Sequence, residues 1–291
     1  MLRHTLTTPT NPLRVVMLGA RGFIGRALMS QLDQHKIPVL ALSSDTLDLT
    51  VPEAEDRFAG LLKADDVILM LSAITPDKGR DAVALMKNLA MAKAVCGAMA
   101  KVSVAHVVYI SSDAVYPFDR ALVNEESPAA PIDLYGSMHR TREIMFEGAT
   151  KAPVAVLRPT LIYGAGDTHN SYGPNRFRRQ FSKDGKVTLG GNGEETRDHI
   201  FVGDVADLII RILRHRSAGR LNLATGQSVS FLDLAKLVAA HAGKPVEIVP
   251  TSRTGGITHR AFDVTACRKA FPEFVFTPLE KGLSEAQRDI A

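Results

Sequence analysis

Short apolar runs alternate with longer amphipathic stretches along most of the chain. Runs of four to six mostly apolar residues predict buried strands at 13–18, 38–42, 67–71, 106–110, 154–157 and 220–223. Stretches with the spacing or composition of helices follow most of them, at 23–33, 81–101, 135–148, 204–215 and 231–242. Because strands and helices alternate, the pattern predicts an α/β fold with a doubly wound parallel sheet and crossover helices on both faces.

A glycine-rich turn joins the first predicted strand to the first predicted helix. Gly19, Gly22 and Gly25 lie in the segment GARGFIG, together with Phe23 and Ile24. Glycines at these spacings permit a tight turn, close approach of a pyrophosphate and close helix–strand packing. The helix N-terminus adds free N–H groups and the positive end of the helix dipole. The turn therefore predicts a Rossmann-like sheet that binds a dinucleotide.

The predicted fold has two parts of unequal size. Residues 13–163 form the dinucleotide-binding domain, and residues 198–224 return to its sheet. Glycine, asparagine and arginine crowd the segment that follows the first part, and long irregular segments inside compact domains are often functional. Residues 164–197 and 225–291 are therefore assigned to a smaller C-terminal substrate-binding lobe.

The choice between NAD and NADP depends on the end of the second strand. An acidic residue there would bind the ribose 2′-OH of NAD, but Ser43 stands at this position, followed by Ser44 and Asp45. Arg21, inside the glycine turn, could bind a 2′-phosphate by a charge-assisted bond or be a solvated surface residue. The sequence predicts NADP or NAD as cofactor, with a small preference for NADP.

A serine and a tyrosine are placed to meet at one substrate oxygen. Ser111, Ser112 and Asp113 follow directly on the strand 106–110, and the carboxyl ends of strands line the ligand crevice of a doubly wound sheet. Tyr135 and His139 are four positions apart on a predicted helix and share a face. Each residue alone would suit a turn or a packing role, and the combination indicates a catalytic site.

At these residues the chain resembles an extended short-chain dehydrogenase/reductase, the family of nucleotide-sugar epimerases, dehydratases and reductases. The matching segments follow the family's order and span nearly the whole chain. They are GARGFIG at 19–25, LDLT at 47–50, VILMLSA at 67–73, YISSDAVYP at 109–117, YGSMH at 135–139, LRPTLIYGAGD at 157–167 and GNGEETRDHIFVGDVADLI at 191–209.

The resemblance implies a role for each matching residue. Tyr135 would exchange a proton with the substrate hydroxyl while hydride moves to or from the nicotinamide, and Ser112 would hydrogen-bond the same oxygen. Further cofactor contacts would come from Asp48, Leu49, Leu71, Ala73, Pro159 and His139. The substrate diphosphate or sugar would be bound by Arg197, Arg260 and Asn175, and guanidinium groups suit phosphates.

Two departures from the family pattern bear on the chemistry. The family has lysine four residues after the tyrosine, where this chain has His139, and a neutral imidazole stabilises a phenolate less than a cation does. Three outcomes stay open: histidine takes the lysine's role, the enzyme works more slowly or at higher pH, or it binds a dinucleotide without turnover. Ala114 stands where the 4,6-dehydratases carry glutamate, which leaves a C4 epimerase or a ketosugar reductase.

Two competing interpretations remain. One is a reductase of a small non-sugar ketone. Such a substrate would need an apolar pocket, and Arg197 and the polar stretch 164–193 argue against one. The other is a non-catalytic NAD(P)-binding sensor that controls a protein partner, and His139 is the residue that favours it.

Composition sets the remaining expectations. With 291 residues, 45% of them hydrophobic, the chain can bury a large core. Two cysteines fit a reducing, cytoplasmic compartment, and the apolar runs are too short to span a membrane. The net charge of +4 is dispersed, so we expect no nucleic-acid partner. We expect no metal site, a loose leader at 1–12, and a homodimer formed by the helices at 81–101 and 135–148.

Overall fold

The computed structural model describes residues 1–118, 120–167, 173–241, 245–253 and 255–287. Within them the strands are β1 Val15–Leu18, β2 Val39–Leu42, β3 Val67–Met70, β4 His106–Ile110, β5 Leu122–Val123, β6 Val154–Pro159, β7 Leu161–Tyr163, β8 Lys186–Gly190, β9 Thr196–Phe201, β10 Gly219–Leu223, β11 Ser228–Ser230, β12 Glu247–Thr251 and β13 Ala261–Phe262. The helices are α1 Phe23–Gln34, α2 Ala54–Leu61, α3 Ala82–Lys101, α4 Leu134–Ala149, α5 Gly173–Asp184, α6 Val202–Arg214, α7 Phe231–Ala240, α8 Thr265–Ala270 and α9 Leu279–Ala286, with a short 3-10 helix at Asp113–Val115.

A six-stranded parallel sheet forms the centre, in the order β2–β1–β3–β4–β6–β10. From β1 the chain first adds β2 on one side and then crosses to add β3 on the other. A crevice therefore opens at the carboxyl ends of β1 and β3. Each strand of this sheet corresponds to one predicted apolar run, and the expected Rossmann-like doubly wound fold is confirmed.

The side chains of β1 show why these strands are mostly apolar. Val15 and Met17 belong to a hydrophobic cluster with α1 and α6, whereas Val16 and Leu18 belong to a second cluster with α2, α3 and α4. Successive side chains on a strand point to opposite faces. Because helices cover both faces, every position of β1 is buried.

Two small sheets lie on the C-terminal side, β7–β9–β11 and β8–β12. Helices α5 and α7 pack with them around Phe177, Phe181 and Leu234. Helix α6 and strand β10 then return to the central sheet. This is the smaller C-terminal lobe expected from the sequence, and its role in substrate binding stays a prediction. Its predicted ranges include positions that lie outside the described residues, namely 168–172, 242–244, 254 and 288–291.

The first dozen residues are attached to the domain, so the expectation of a loose leader is wrong. Arg3 forms an antiparallel bridge with Ala218, next to the start of β10. The ring of His4 stacks on that of His215, with ring centres 4.2 Å apart. Backbone pairing and a stacked ring hold this polar segment in place. Neither contact requires apolar residues, so the sequence pattern did not predict it.

Helix α3 has a composition that a membrane span could share. Among the described residues it is the helix long and apolar enough to cross a membrane, with a mean hydropathy of 1.3 over its best window. It packs between α2 and α4 against the central sheet. Of that window 39% is buried, so packing against the core accounts for part of its apolar character.

Candidate functional site

The glycine turn brings the start of α1 against the ends of β1 and β3. Gly19 has a φ of +94°, and a Cβ there would lie 2.9 Å from the backbone nitrogen of Ser72. A Cβ on Gly25 would lie 2.6 Å from the carbonyl oxygens of Gly19 and Ala20. Gly22 precedes the helix and offers no side-chain cap. Side chains are excluded at these positions, and the first N–H groups of α1 are left for a ligand.

A cavity of about 300 Å³ opens at this edge of the central sheet. The predicted site residues that line it are Gly19, Gly22, Phe23, Ile24, Gly25, Leu71, Ala73, Ser112, Tyr135, His139, Pro159 and Asn175. The glycine turn, the strand-end serine and the helical tyrosine therefore border one space.

His139 is the best-defined polar group in the wall of this cavity. It is 2% exposed, and its Nδ1 lies 2.6 Å from the hydroxyl of Tyr109 on β4. Its Nε2 is buried and has no hydrogen-bond partner among the described residues. The ring of Tyr135 meets it edge-on, with ring centres 4.6 Å apart. Burial, and secondarily the charge of Arg142, lowers the pKa of His139 well below its usual value, so the imidazole is neutral.

Ser112 begins the short 3-10 helix that follows β4. Its Oγ accepts a hydrogen bond from the N–H of Ala114 at 3.1 Å, and its hydroxyl also bonds the carboxylate of Asp113. The neighbouring Asp113 lines the cavity and pairs with Arg260 at 3.4 Å. Burial raises the pKa of Asp113, and the Arg260 guanidinium opposes this shift.

A buried ion pair fixes the base of the site. Glu143 on α4 accepts two hydrogen bonds from Arg158 on β6, at 2.8 and 2.7 Å, and one from Ser111 at 2.7 Å. Burial alone would raise the pKa of Glu143, but the bonds and charge of Arg158 outweigh it and lower that pKa. The pair ties α4 to β4 and β6, so it sets how Tyr135 stands relative to Ser112.

The residues predicted to choose between NAD and NADP lie outside the cavity lining. Arg21 forms an exposed ion pair with Asp45, just past the end of β2. The backbone N–H of Ser43 donates to the Thr46 hydroxyl. The carboxylate of Asp48 accepts from the N–H and hydroxyl of Thr50, which lowers the pKa of Asp48, and Leu49 is buried beside it. Their roles toward the adenosine half of a cofactor stay predictions.

The two predicted diphosphate arginines also lie outside the cavity lining. Arg197 donates to the carbonyl and hydroxyl of Thr258, and Arg260 donates to the carbonyls of Tyr116 and Pro117. Both guanidinium groups stack on Phe118, at 4.8 and 3.9 Å from its ring centre. Arg260 is 1% exposed, so in this arrangement it holds the loop after β4. A direct substrate contact by either arginine stays a prediction.

Asn175 lines the cavity but is already part of a hydrogen-bonded cluster. It donates to Asp167, and its oxygen accepts from Arg178 at 2.9 Å. Its predicted contact with the sugar therefore competes with bonds inside the lobe.

Several lining residues were missed by the sequence analysis. Asp77, Lys78 and Asp167 are charged lining residues of this kind, whereas Asp113 was found with Ser112 at the end of β4. The polar segment that contains Asp77 and Lys78 follows β3 closely, and strand-end position was the signal that could have found it. Tyr109 and Arg142, which contact His139 and its surroundings, carried no such signal.

Three features fit a nicotinamide dinucleotide. The glycine turn lets α1 begin close against the strand ends, because a Cβ at Gly19 or Gly25 would meet backbone atoms. The N–H groups at the start of α1 have no side-chain cap, and Nε2 of His139 is a buried polar atom without a partner among the described residues. Buried polar atoms are normally satisfied, so such an atom in a cavity wall suits a ligand hydroxyl.

A sequence profile of the NAD dependent epimerase/dehydratase family matches residues 15–224, which is most of the chain. The chain belongs to the NAD-dependent epimerase/dehydratase family. The matched range covers the whole central sheet and the residues that line the cavity up to Asn175. The family resemblance read from the sequence is thus confirmed, and a nicotinamide cofactor is supported.

Curated relatives of this epimerase/dehydratase chain include both epimerases and reductases. A dTDP-L-rhamnose 4-epimerase from Burkholderia thailandensis is 31% identical over 55% of this chain, and the match spans 47% of that relative. A dTDP-4-dehydro-6-deoxy-D-allose reductase from Streptomyces bikiniensis is 26% identical over 94% of this chain and 95% of the relative.

Solved structures support the same fold. The UDP-glucose 4-epimerase of Thermus thermophilus, in complex with NAD, has a TM-score of 0.80 and 20% identity over 95% of this chain and 98% of its own. RMD from Pseudomonas aeruginosa, complexed with NADPH, has a TM-score of 0.81 and 24% identity over 96% and 98%. NAD and NADPH thus both occur among the neighbours.

Proposed function

We propose that this protein is an NAD(P)-dependent enzyme that acts on a nucleotide-activated sugar, as a ketosugar reductase or a C4 epimerase. The observation that carries the proposal is that Ser112, Tyr135 and His139 line the cavity that the glycine turn closes. The relatives named above act on dTDP-linked sugars, which supports a substrate of this class.

The cofactor would lie along the glycine turn. The N–H groups at the start of α1 would bind its pyrophosphate, and Nε2 of His139 would bond a hydroxyl of the nicotinamide ribose. A neutral imidazole has one donor and one acceptor, and the Tyr109 hydroxyl can satisfy Nδ1 in either tautomer. When bound, a nicotinamide dinucleotide supplies the hydride acceptor or donor for the sugar carbon.

The chain's own groups would handle the proton. The Tyr135 hydroxyl gives a proton to the sugar oxygen or takes one from it, and the Ser112 hydroxyl donates a hydrogen bond to the same oxygen. Glu143 holds the helix that carries Tyr135, through its pair with Arg158 on β6 and through its bond from Ser111, the residue before Ser112. Apolar walls such as Phe23 and Pro159 exclude water, which strengthens both hydrogen bonds.

Reduction and epimerisation share this chemistry and differ in what happens to the cofactor. An epimerase keeps NAD and returns the hydride to the opposite face of the sugar, whereas a reductase exchanges NADP(H) each turn. Arg21 lies within the glycine turn and favours NADPH, but its partner Asp45 would repel a 2′-phosphate. Ala114, in place of glutamate, argues against dehydration. We also propose that the protein works in the cytoplasm as a homodimer whose subunits contact each other through α3 and α4.

A second candidate is a dinucleotide sensor without turnover, and the neutral His139 favours it. A sensor would bind NAD(P) tightly, would convert no nucleotide sugar, and would not depend on Tyr135. A reductase of a small apolar ketone has less support, because Ser112, Asp113, Asp167 and Lys78 place polar and charged groups in the cavity wall.

Turnover of a panel of nucleotide sugars separates these candidates. Wild-type protein and Tyr135→Phe are incubated with dTDP-, UDP- and GDP-linked 4-ketosugars and hexoses. NADPH absorbance reports reduction, and NMR of the sugar reports epimerisation. We expect turnover in wild type and its loss in Tyr135→Phe, with unchanged dinucleotide affinity. Equal activity in the two proteins would contradict the assigned proton carrier, and tight binding without turnover would favour the sensor.

A further inference from the structure

Arg142 on α4 is fully buried, at 0% exposure, and its charge is not balanced by a close partner. Among the described residues it forms no ion pair with a carboxylate. Burial of an unpaired guanidinium is costly and is normally avoided. The cost of burying this guanidinium therefore suggests that its charge has a role in the protein.

Three other arginines near the site each contact a carboxylate. Arg140 and Arg158 both pair with Glu143, at 3.1 and 2.7 Å. Arg260 pairs with Asp113. Arg142 differs from these three in having no carboxylate partner among the described residues.

The contacts of Arg142 connect it to two parts of the cavity wall. Its Nη2 donates to the carbonyl oxygen of Ser72 at 2.9 Å, and Ser72 lies between the lining residues Leu71 and Ala73. Its guanidinium carbon lies 5.0 Å from the ring centre of Tyr109, whose hydroxyl bonds His139. The guanidinium thus lies directly behind the groups that face a cofactor, without entering the cavity itself.

We propose that Arg142 is a positioning residue that supplies, from behind the Tyr109–His139 pair, the positive charge that the resembling enzymes carry as lysine at position 139. This inference rests on the proposed function, because it assigns the charge to the same site. In this chain the cation lies at position 142, three positions further along α4 than position 139, and it is buried in the interior instead of lining the cavity. His139 keeps the hydrogen bond to the cofactor, and Arg142 keeps the charge.

The protein interior around the Arg142 guanidinium screens its charge only weakly, so the charge acts on the neighbouring groups of the site. It disfavours the imidazolium form of His139. By the same proposal it favours the phenolate form of Tyr135, which lies about two turns away on α4. The other ionisable groups packed around it are Tyr109 on β4, Cys96 on α3 and Glu143 on α4. Burial raises the pKa of Cys96 to about 11, so that thiol stays neutral. Glu143 is occupied by Arg158.

Three variants test the charge separately from the packing. Arg142→Met removes the cation and keeps a long side chain, Arg142→Lys keeps the cation, and the double variant Arg142→Met with His139→Lys moves the cation back. Tyrosinate absorbance, taken as the difference from the corresponding Tyr135→Phe protein, gives the titration of Tyr135. NMR of the imidazole gives that of His139.

We expect Arg142→Met to move both titrations upward by about one pH unit. Arg142→Lys should leave both close to wild type, and the double variant should return the Tyr135 titration to its wild-type position. Unmoved titrations in folded Arg142→Met, or equal shifts in the Met and Lys variants, would overturn the proposal. Failure of both Met-containing proteins to fold would indicate a packing role and also count against it.

The proposed function is judged independently by titration of wild-type protein with NADH and NADPH. If neither dinucleotide binds, the proposed function fails whatever the variants show. If a dinucleotide binds and the titrations do not respond to Arg142, only the inference about Arg142 fails.

Discussion

The hydroxyl of Tyr109 lies 2.6 Å from Nδ1 of His139. Tyr109 belongs to the central sheet and His139 to the helix that also carries Tyr135. The bond therefore fixes the imidazole ring from behind and leaves Nε2 for a ligand in the cavity. A flexible lysine needs no such support, whereas a histidine must have its ring oriented before it can bond a ribose hydroxyl.

The Tyr109 hydroxyl should matter for cofactor binding. Tyr109→Phe removes one buried hydrogen bond, worth about 1 kcal/mol, so we expect NAD(P)H affinity to fall by roughly fivefold. Titration with the reduced cofactor measures this. Tyr163→Phe, which removes a buried hydroxyl in the C-terminal lobe, is the matched control and should leave the affinity unchanged. Equal affinities in wild type and Tyr109→Phe would show that the bond does not position His139 for the cofactor.

The Arg21–Asp45 pair should decide between NADH and NADPH. Asp45→Ala removes a charge that repels a 2′-phosphate and releases Arg21 from its partner, so NADPH affinity should rise. Arg21→Ala should weaken NADPH by roughly fivefold, since an exposed charge contact is worth about 1 kcal/mol, and should barely change NADH. The ratio of the two dissociation constants is the measurement. A ratio that neither variant changes would place the adenosine ribose elsewhere.

The central sheet could be predicted from the sequence because most of its strands are short apolar runs, although β10 carries Arg220 and Asn222 on one face. The structural role of Gly19 could also be predicted, because a glycine between a strand and a helix suits a positive φ and close packing. Helix α5 was missed because the arginines within it conceal Phe177 and Phe181, which form its buried face. The sequence of this segment is dominated by charged residues, so the buried side of the helix can be identified only from its packing in the lobe.

The chemistry of the site was predictable only where it follows strand ends or helix spacing. Ser112 and Tyr135 were found in this way, and both line the cavity. Tyr109 looks like any core residue of a buried strand, and its contact with His139 depends on how α4 lies across the sheet. Arg260 was expected at the substrate, yet its donors are engaged with the loop after β4. Sequence spacing does not reveal which hydrogen bonds an arginine already makes.

Buried histidines should make the protein sensitive to mild acid. Burial lowers the pKa of His106 to about 4 and that of His199 to about 3, whereas unfolded histidine titrates near about 6.5. The unfolded chain therefore binds more protons below that pH. Stability should be complete above about pH 6.5 and should fall on acidification by about 1.4 kcal/mol per pH unit for each such histidine, down to its folded pKa.

Urea unfolding at about pH 7.5 and about pH 5.5 measures this dependence. His106→Gln, which cannot titrate, should show a smaller difference between the two conditions than wild type. Equal stability of wild type at both values would contradict the expected response of the buried histidines. A uniform loss of stability in His106→Gln, with an unchanged difference, would assign the acid response to other groups.

The exposed apolar residues on α3 and α4 should form the dimer contact. Met86 is 63% exposed and Ile144 is 55% exposed. We expect the double variant Met86→Asp/Ile144→Asp to be monomeric in size-exclusion chromatography with light scattering, because carboxylates are not tolerated in an apolar interface. Val275→Asp, on another surface at 84% exposure, is the control and should stay dimeric. A monomeric wild type, or a dimeric double variant, would contradict this interface.

The most direct test of the central claim is to identify what the purified protein carries and binds. Mass spectrometry of released ligand is followed by titration with NADH, NADPH and a panel of nucleotide sugars. The account predicts a nicotinamide dinucleotide together with affinity for a nucleotide diphosphate sugar, with retained NAD indicating an epimerase and exchangeable NADPH a reductase. A dinucleotide bound with no affinity for any sugar nucleotide would contradict it.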